Sequence, residues 1–266
     1  MAEWWPFDRS RTDEWKRTWT DIISRSSAAA ASLGLPQPGT LVGDPFAALV
    51  DAARAWLTGK KRTFRFSGHD LTLTLSDISM EGADLARIMG QYGKVHISAR
   101  DVQWHVYQLE RIDVRASNVH VRPGVRLTLV TAPVHCEAFI SASFASSWLA
   151  TVSPRLELAM VAGIPQIGVA GVPWVRLEME TGAEGQSIRL RPRALYLLDR
   201  RVSLRSPAFH LALPDLPAGF MLTSVESAPG GFLVRGVFSE WQRSLSRDDV
   251  ERLLAGMRAG QDRLDI

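Results

Sequence analysis

The stretch Val95-His-Ile-Ser-Ala-Arg-Asp-Val-Gln-Trp104, followed by Ile112-Asp-Val-Arg-Ala-Ser-Asn-Val-His-Val121, decides the fold. Apolar residues recur at every second position along much of both segments, which is the period of a β-strand with one buried face. The apolar residues change from odd-numbered to even-numbered positions across Arg100 and Asp101. We therefore predict a bulge or bend there that keeps one apolar face continuous. Because similar segments recur up to residue 237, the chain is predicted to form a large, mostly antiparallel sheet.

Helices are predicted at both ends of this strand-rich region and, within it, around Phe144, Trp148 and Leu149. The segment from Asp44 to Thr58 begins with an N-cap residue, places its apolar side chains on one face and is followed by Gly59. Ser246 and Asp249 form a capping-box pattern before a C-terminal amphipathic helix. The predicted fold class is therefore α+β, with helices packed on the sheet.

The N-terminal residues differ from the rest of the chain. Residues 1–40 are predicted to form a Trp-rich arm and linker, and residues 41–266 a single domain. Aromatic side chains of the arm fit a membrane interface, and the candidate contact residues are Trp4, Trp5, Trp15 and Trp19. The same composition is equally typical of an arm that packs on the domain or on a second subunit. Packing on a second subunit would give a homodimer.

Composition excludes several classes of protein. Apolar residues make up 46% and charged residues 22%, as in a globular domain rather than a disordered chain. The net charge of +3 is too small to indicate a nucleic-acid partner. Cys136 is the only cysteine, which excludes internal disulfides and multi-cysteine metal sites.

The sequence also bears on location. No apolar run reaches the roughly 18 residues of a membrane-spanning helix. The first residues lack the basic, apolar and small-residue regions of an export signal. We therefore expect a cytoplasmic protein, or one bound peripherally to the inner face of the cell membrane.

No catalytic motif is found in the sequence. It lacks a nucleophile elbow, a phosphate-binding P-loop, a zincin helix and a dinucleotide fingerprint. His135 and Cys136 are adjacent, but neighbours on a strand point to opposite faces, which argues against a base–nucleophile pair. We predict that the protein is not an enzyme and uses no catalytic residue, metal or cofactor.

A basic stripe is the candidate contact for a phosphate group. Arg189, Arg191 and Arg193 share one face of a predicted strand, while Ile188 and Leu190 share the other. Guanidinium groups bind phosphate well, so these arginines are candidate headgroup ligands. The alternative is an ordinary solvated sheet face, because charged stripes on half-buried strands are common.

The segment from Ala162 to Trp174 carries no charge and is rich in Gly and Pro. This composition predicts irregular structure. Because an uncharged loop avoids solvent, the segment either packs into the core or lines the mouth of an apolar cavity.

Longer parts of the chain resemble a known family. The string Asp84-Leu-Ala-Arg-Ile-Met-Gly-Gln-Tyr-Gly-Lys-Val-His-Ile-Ser-Ala-Arg-Asp-Val102 is followed by the segment from Leu109 to Val121. With Leu213-Pro-Asp-Leu-Pro-Ala-Gly-Phe-Met-Leu-Thr-Ser-Val225 and Gly230-Gly-Phe-Leu-Val-Arg-Gly236, it resembles the actinobacterial LmeA-type family of phospholipid-binding proteins. The resemblance covers about residues 60 to 240 in order and rests on pattern and turn placement.

This resemblance implies a fold similar to that of tubular lipid-binding proteins. A strongly twisted sheet would wrap around a long helix, here the segment from Asp44 to Thr58, and leave an apolar groove for acyl chains. Typical family members work in the cell envelope and carry an export signal or lipid anchor, whereas neither is seen here. No binding residue of the family can be transferred position by position. The candidate lipid-binding residues therefore come from the helix predicted from Asp44 to Thr58, from the Trp104 strand and the Phe144–Trp148 helix as groove walls, and from the segment between Ala162 and Trp174; they are Phe46, Leu49, Trp56, Trp104, Phe144, Trp148, Ile164 and Trp174.

The functional hypothesis is non-enzymatic binding of a phospholipid or other acyl-chain lipid. Such a carrier or sensor would shield the chain in the groove and dock transiently on a membrane surface. Burial of an acyl chain contributes about 0.8 kcal/mol per methylene, which suffices without charge pairing. The alternative is a structural or scaffolding protein that binds a protein partner through the Trp-rich arm. A lipid hydrolase whose catalytic residues meet only in space is a third possibility.

Overall fold

The computed structural model describes residues 53–66, 68–81, 91–122, 127–198, 200–213, 216–246, 248–249, 252, 255 and 263–264. Of these residues, 72% lie in strands and 11% are helical, and the strands are mostly antiparallel. The predicted α+β class, with a long helix inside a wrapped sheet, is wrong. The strands that contain Thr181 and Val225 pack face to face, so their apolar sides cover one another and no long helix is needed between them.

Strands follow one another along almost all of the described chain. In chain order the named elements are β1 (Lys61–Phe66), β2 (His69–Glu81), β3 (Gln91–Trp104), β4 (Tyr107–Arg122), β5 (Leu127–Thr131), β6 (Val134–Ser141), α1 (Ala142–Val152), β7 (Leu156–Val161), β8 (Ile164–Val169), β9 (Val172–Glu184), β10 (Ser187–Leu197), β11 (Arg200–Ser203), β12 (Phe209–Ala212), β13 (Phe220–Ala228), β14 (Gly231–Phe238), β15 (Trp241–Leu245) and β16 (Arg263–Leu264).

The strands belong to two sheets. The ten-stranded sheet has the order β13–β14–β6–β4–β3–β2–β1–β16, and β5 pairs with β4 and β15. The six-stranded sheet has the order β11–β10–β9–β8–β7, and β12 pairs with β10. Neighbours in the chain are often neighbours in a sheet, as expected for short connections.

The chain divides into two compact units. Unit 1 contains the residues up to Ile97, Arg115–Pro133 and the residues from Glu240 onward. Unit 2 contains Ser98–Val114 and Val134–Ser239. The boundary falls inside β3 and β4, so each of these strands contributes residues to both units.

The core of unit 1 is built around the buried side chains of Tyr92, Val119 and Val121. Half-buried apolar side chains packed against it are Met80, Val95, Ala116, Leu129 and Leu245. Elsewhere in the unit Trp56 is only 6% exposed, and the guanidinium carbon of Arg62 lies 4.5 Å from the centroid of its ring. This cation–π contact fixes the helical residues 53–57 against β1.

Two local predictions are confirmed. Asp101 has φ +53°, and Ala99 and Val102 are both buried although three positions apart, so β3 bends where the apolar parity switches. Residues 53–57 are helical, and Gly59 follows with φ +74°, the left-handed geometry that commonly ends a helix. The start of this predicted helix, before residue 53, lies outside the described residues.

The predicted capping box at Ser246 and Asp249 is also confirmed. The Ser246 hydroxyl accepts a hydrogen bond from the Asp249 N–H at 3.1 Å, and the Asp249 carboxylate accepts from the Ser246 N–H at 2.8 Å. Hydrogen bonds from Ser246 lower the pKa of Asp249 to about 2. Residues 248, 249, 252 and 255 are helical, as the pattern predicts.

The segment from Ala162 to Trp174 is not irregular, and that prediction is wrong. It contains β8 and the start of β9. Gly163 and Gly171 have φ values of +79° and +78°, which tight hairpin connections require and which glycine adopts without steric cost. The Gly and Pro residues therefore mark two hairpins rather than one long loop.

The first residue of β14 provides a test of strand packing in unit 2. A Cβ atom at Gly231 would collide with the carbonyl oxygen of Ile140 and crowd the ring of Phe139. We expect Gly231→Ala to lower the free energy of unfolding by about 1–3 kcal/mol, although alanine is otherwise the better strand residue. Urea denaturation measures the change.

Gly168→Ala is the matched control, because its Cβ would lie 3.5 Å from the Val175 carbonyl oxygen, an ordinary contact. We expect its stability to stay close to that of the unmodified protein. Equal losses in the two variants would contradict the packing described for Gly231.

Candidate functional site

Unit 2 contains an open apolar cavity of about 150 Å³. Four parts of the unit line it. They are one face of the six-stranded sheet together with the residue after β12; the strands β6, β13 and β14; the helix α1; and the turn between β3 and β4. Every lining residue belongs to unit 2. The cavity therefore belongs to unit 2 alone.

The inner face of the six-stranded sheet forms the largest wall. Cross-strand register pairs Leu158 with Ile167, and Leu190 with Thr181. Paired residues of antiparallel strands point to the same side, so this face is apolar from β7 to β12. Its lining residues are Leu158, Pro165, Ile167, Met179, Thr181, Ile188, Leu190 and Leu211, with Leu213 just beyond β12.

Strands β6, β13 and β14 form a second wall. Phe232 on β14 pairs with Ile140 on β6, and Val234 pairs with Val225 on β13. All four side chains line the cavity. This wall is again one face of a sheet, selected by the alternation of side chains along each strand.

Helix α1 closes a third side. The hydroxyl of Ser141 accepts a hydrogen bond at 3.3 Å from the N–H of Phe144, which caps the first turn. Phe144, Ala145, Trp148 and Leu149 share one face of the helix, and all four line the cavity. The helix predicted around these residues is confirmed.

The described lining carries no charged side chain. Its hydroxyl-bearing residues are Tyr107 and Thr181, and the Thr181 hydroxyl donates a hydrogen bond at 3.1 Å to the carbonyl of Val225. The ring of Tyr107 stacks on Trp104, with centroids 5.8 Å apart and an interplanar angle of 17°. Such a wall offers almost nothing to a polar ligand and suits hydrocarbon.

The turn between β3 and β4 lies at the opening of the cavity. Val106 in this turn lines the cavity and is nevertheless 49% exposed. A side chain that is half in solvent and half in the wall marks the point where a ligand can enter or protrude. The aromatic stack of Trp104 and Tyr107 flanks the same turn.

Comparisons of this chain with protein-family models, curated proteins and solved structures find no match.

The structure separates the predicted lipid-binding residues of unit 2 into two groups. Phe144 and Trp148 lie in the cavity wall, and Trp104 contacts the wall residue Tyr107. Ile164 and Trp174 lie outside the lining and are exposed on the surface. The structure thus brings together the predicted helix residues but not the predicted loop residues.

The remaining predicted contact residues lie elsewhere. Trp56 is buried in unit 1, beneath Arg62, and takes no part in the cavity. The other candidates fall outside the described residues, and they are Phe46, Leu49, Trp4, Trp5, Trp15 and Trp19. Their contacts with lipid or membrane stay predictions.

The predicted headgroup arginines lie on β10. Arg189 and Arg191 occupy the face opposite the residues of β10 that line the cavity, and the guanidinium of Arg189 lies across Gly182. The register shifts at Arg193, whose Nε lies 2.9 Å from a carboxylate oxygen of Glu180. Phosphate binding by these arginines stays a prediction.

Ion pairs cover the outer face of the six-stranded sheet. The carboxylate of Glu178 accepts hydrogen bonds from Arg201 Nε at 3.0 Å, from Arg201 Nη2 at 2.9 Å and from the Tyr196 hydroxyl at 3.1 Å. The hydrogen bond with Arg201 is the main reason why the pKa of Glu178 lies below its ordinary value. The charge that the cavity lacks is thus concentrated on the opposite face.

The adjacent pair His135 and Cys136 lies on β6. Burial raises the pKa of the Cys136 thiol to about 11, so the thiol is protonated near neutral pH. Side chains of neighbouring strand residues point to opposite faces. The pair therefore lacks the features of an activated nucleophile.

No group of three or more His, Cys, Asp or Glu side chains among the described residues is placed to hold a metal ion. No helix among them is both long enough and apolar enough to cross a membrane.

Sequence reasoning missed the wall formed by β6 and β13. The alternation Val134, Cys136, Ala138 and Ile140 is a strand signal, but the segment was not assigned to a strand. Val225 was part of the family resemblance and was not connected with the groove. Period-two alternation identifies such strands, whereas the face that meets the cavity depends on pairing partners far away in the chain.

The ion pair on the outer face gives a pH-dependent prediction. Because the pKa of Glu178 is lowered by folding, its stabilisation is present above the unfolded pKa of about 4.3 and is lost as the pH falls through the folded pKa. We expect Glu178→Gln to lower the melting temperature at pH 7, and the difference from the unmodified protein to shrink below about pH 4.3.

Glu157→Gln is the control, because Glu157 is an exposed carboxylate for which the described residues provide no ion pair. Thermal unfolding followed by circular dichroism across this pH range compares the variants. A difference for Glu178→Gln that stays constant with pH would contradict the assigned role of its charge.

Proposed function

We propose that this protein binds an apolar ligand of the acyl-chain class, without catalysing a reaction, in the cavity of unit 2. The supporting observation is a lining of aliphatic and aromatic side chains that contains no charged group and leaves little polar surface. A cavity of this kind holds water poorly, because water needs two to four polar partners. Hydrocarbon has no hydrogen bond to lose by entering it.

The size of the cavity favours part of one acyl chain. Sites for drug-sized ligands usually measure about 300–1,000 Å³, and this cavity measures about 150 Å³. The terminal part of a chain fits such a volume, while the rest of the ligand leaves past Val106, which is half exposed. Each buried methylene contributes about 0.8 kcal/mol, so a few of them already give measurable affinity.

A phospholipid is the ligand that we favour within this class. The resemblance of the sequence to the LmeA-type family supports it, and the protein would then act as a lipid carrier or sensor. To contact Arg189 and Arg191 the headgroup would have to reach around the sheet, since they occupy the face of β10 opposite the cavity lining. A location at the inner face of the cell membrane belongs to the same proposal.

Filling the cavity from within tests the proposal. Ala145 lies in the wall on α1, so Ala145→Phe places a ring where the ligand would bind. We expect the dissociation constant of radiolabelled palmitate, measured in solution without vesicles, to rise at least about tenfold, the equivalent of about two methylenes. Native mass spectrometry of gently purified protein should show co-purifying lipid in the unmodified chain and less in the variant.

Ala150→Phe is the matched control, because Ala150 lies on the exposed side of the same helix. It should bind palmitate like the unmodified protein. If the unmodified protein neither binds palmitate nor carries lipid after purification, the proposal is wrong and the cavity is a packing defect of a structural protein. Equal affinities of the two variants would show that a ligand binds elsewhere.

A further inference from the structure

One end of the six-stranded sheet carries large exposed apolar side chains. The backbone N–H of Leu198 donates to the carbonyl of Trp174 at 2.7 Å, so the two residues are neighbours. Leu198 is 73% exposed and Trp174 is 53% exposed. They form the centre of a surface that we call the sheet-end patch.

Neighbouring strands extend the sheet-end patch. Leu197, which precedes Leu198, pairs with Val175 on β9, so its side chain reaches the same end of the sheet from the face opposite Trp174. Val169 pairs with Val172 across the connection between β8 and β9, and both Val169 and Leu197 are at least 40% exposed. Because antiparallel strands alternate in direction, the end of β8, the start of β9 and the end of β10 meet at this edge.

The backbone of Leu198 is unusual for an exposed leucine. Its φ of +57° lies in the left-handed region, where glycine and asparagine are favoured and a branched side chain is strained. Leu198 lies in the short connection between Leu197 and Arg200, where glycine would be the less strained residue. A strained and exposed leucine gains nothing for the fold, which points to a role in binding.

Basic side chains flank the sheet-end patch. Arg155, Arg176 and Arg200 are exposed, and no carboxylate among the described residues forms an ion pair with them. Arg201 is already paired with Glu178. Two carboxylates are also close to the patch along the chain or sheet. Glu157 lies on β7, and Asp199 follows Leu198 in the sequence and lies outside the described residues. The balance is weakly positive, so apolar insertion carries most of the affinity of the patch.

We propose that the sheet-end patch docks on an anionic phospholipid bilayer. Trp and Leu side chains at the tips of hairpins insert among headgroups, and arginines beside them reach the phosphates while their stems stay in apolar surroundings. A protein partner fits less well, because a stable interface buries about 800 Å² on each side and four partly exposed side chains supply less than that. The patch lies outside the cavity lining, so docking does not depend on the ligand proposed for the cavity.

Vesicle sedimentation of the full chain tests the docking. The probe is a vesicle of phosphatidylcholine and phosphatidylglycerol, and the variant combines Trp174→Ala with Leu198→Gly. We expect binding to fall at least about tenfold, because two inserted side chains are lost. Leu198→Gly also relieves backbone strain, so by itself it should keep or raise the melting temperature while weakening binding.

The control variant combines Val161→Ala with Met221→Ala, which removes two apolar residues that are 41% and 51% exposed outside the patch. It should bind vesicles like the unmodified protein. Unchanged vesicle binding in the patch variant overturns the proposal. A concentration-dependent dimer that sedimentation velocity detects without vesicles, and that the patch variant abolishes, would also overturn it, since the patch would then join two copies.

A second measurement places the patch directly. Leu198→Cys labelled with a polarity-sensitive fluorophore should shift to the blue when anionic vesicles are added, whereas Val161→Cys should not. Cys136 interferes little, because burial raises the pKa of its thiol to about 11 and keeps it protonated during labelling. Absence of a shift at Leu198 while the protein is bound to vesicles contradicts insertion. A variant that loses only vesicle docking should still bind palmitate in solution. This result separates failure of the docking proposal from failure of the proposed function.

Discussion

The alternation of side chains along each strand is the constraint on which unit 2 depends. Successive residues of a strand point to opposite faces, so apolar residues at every second position give an apolar face and leave the other face free for charge. On β10 the residues Ile188 and Leu190 face the cavity, and Arg189 and Arg191 lie on the opposite side. A shift of one residue in register would reverse these faces and put arginines into the cavity.

The ion pairs of unit 2 also favour the observed orientation of the strand faces over the reversed one. Glu178 and Arg201 are held on the outer face by two hydrogen bonds. On β14 the Arg235 guanidinium lies between Glu137 at 2.7 Å and Glu226 at 2.6 Å, on the face opposite the cavity residues. Exposed pairs contribute little free energy. Burying any of these charges unpaired would cost several kcal/mol, which excludes the reversed packing.

Local features of the fold were predictable from the sequence. The bend at Asp101, the cap at Ser246 and the helix around Trp148 depend on neighbouring residues alone, and each is confirmed. The α+β class failed because period-two alternation shows that a face is buried but not what covers it. A wrapped helix was expected from the family resemblance, whereas β13 supplies part of the cover in unit 2. The glycines at residues 163 and 171 predict irregular structure by composition, whereas their positive φ values mark hairpins.

The sequence by itself therefore determined many of the strands with their alternating faces, the bend at Asp101, the helix caps and the absence of recognisable catalytic motifs. These features follow from backbone conformation and from side chains a few positions apart. Only the tertiary structure decided that Phe144 and Trp148 meet Ile140, Val225 and the six-stranded sheet around a cavity, and that Trp174 is exposed beside Leu198. These contacts join residues far apart in the chain, and they depend on the registers in which the strands pair.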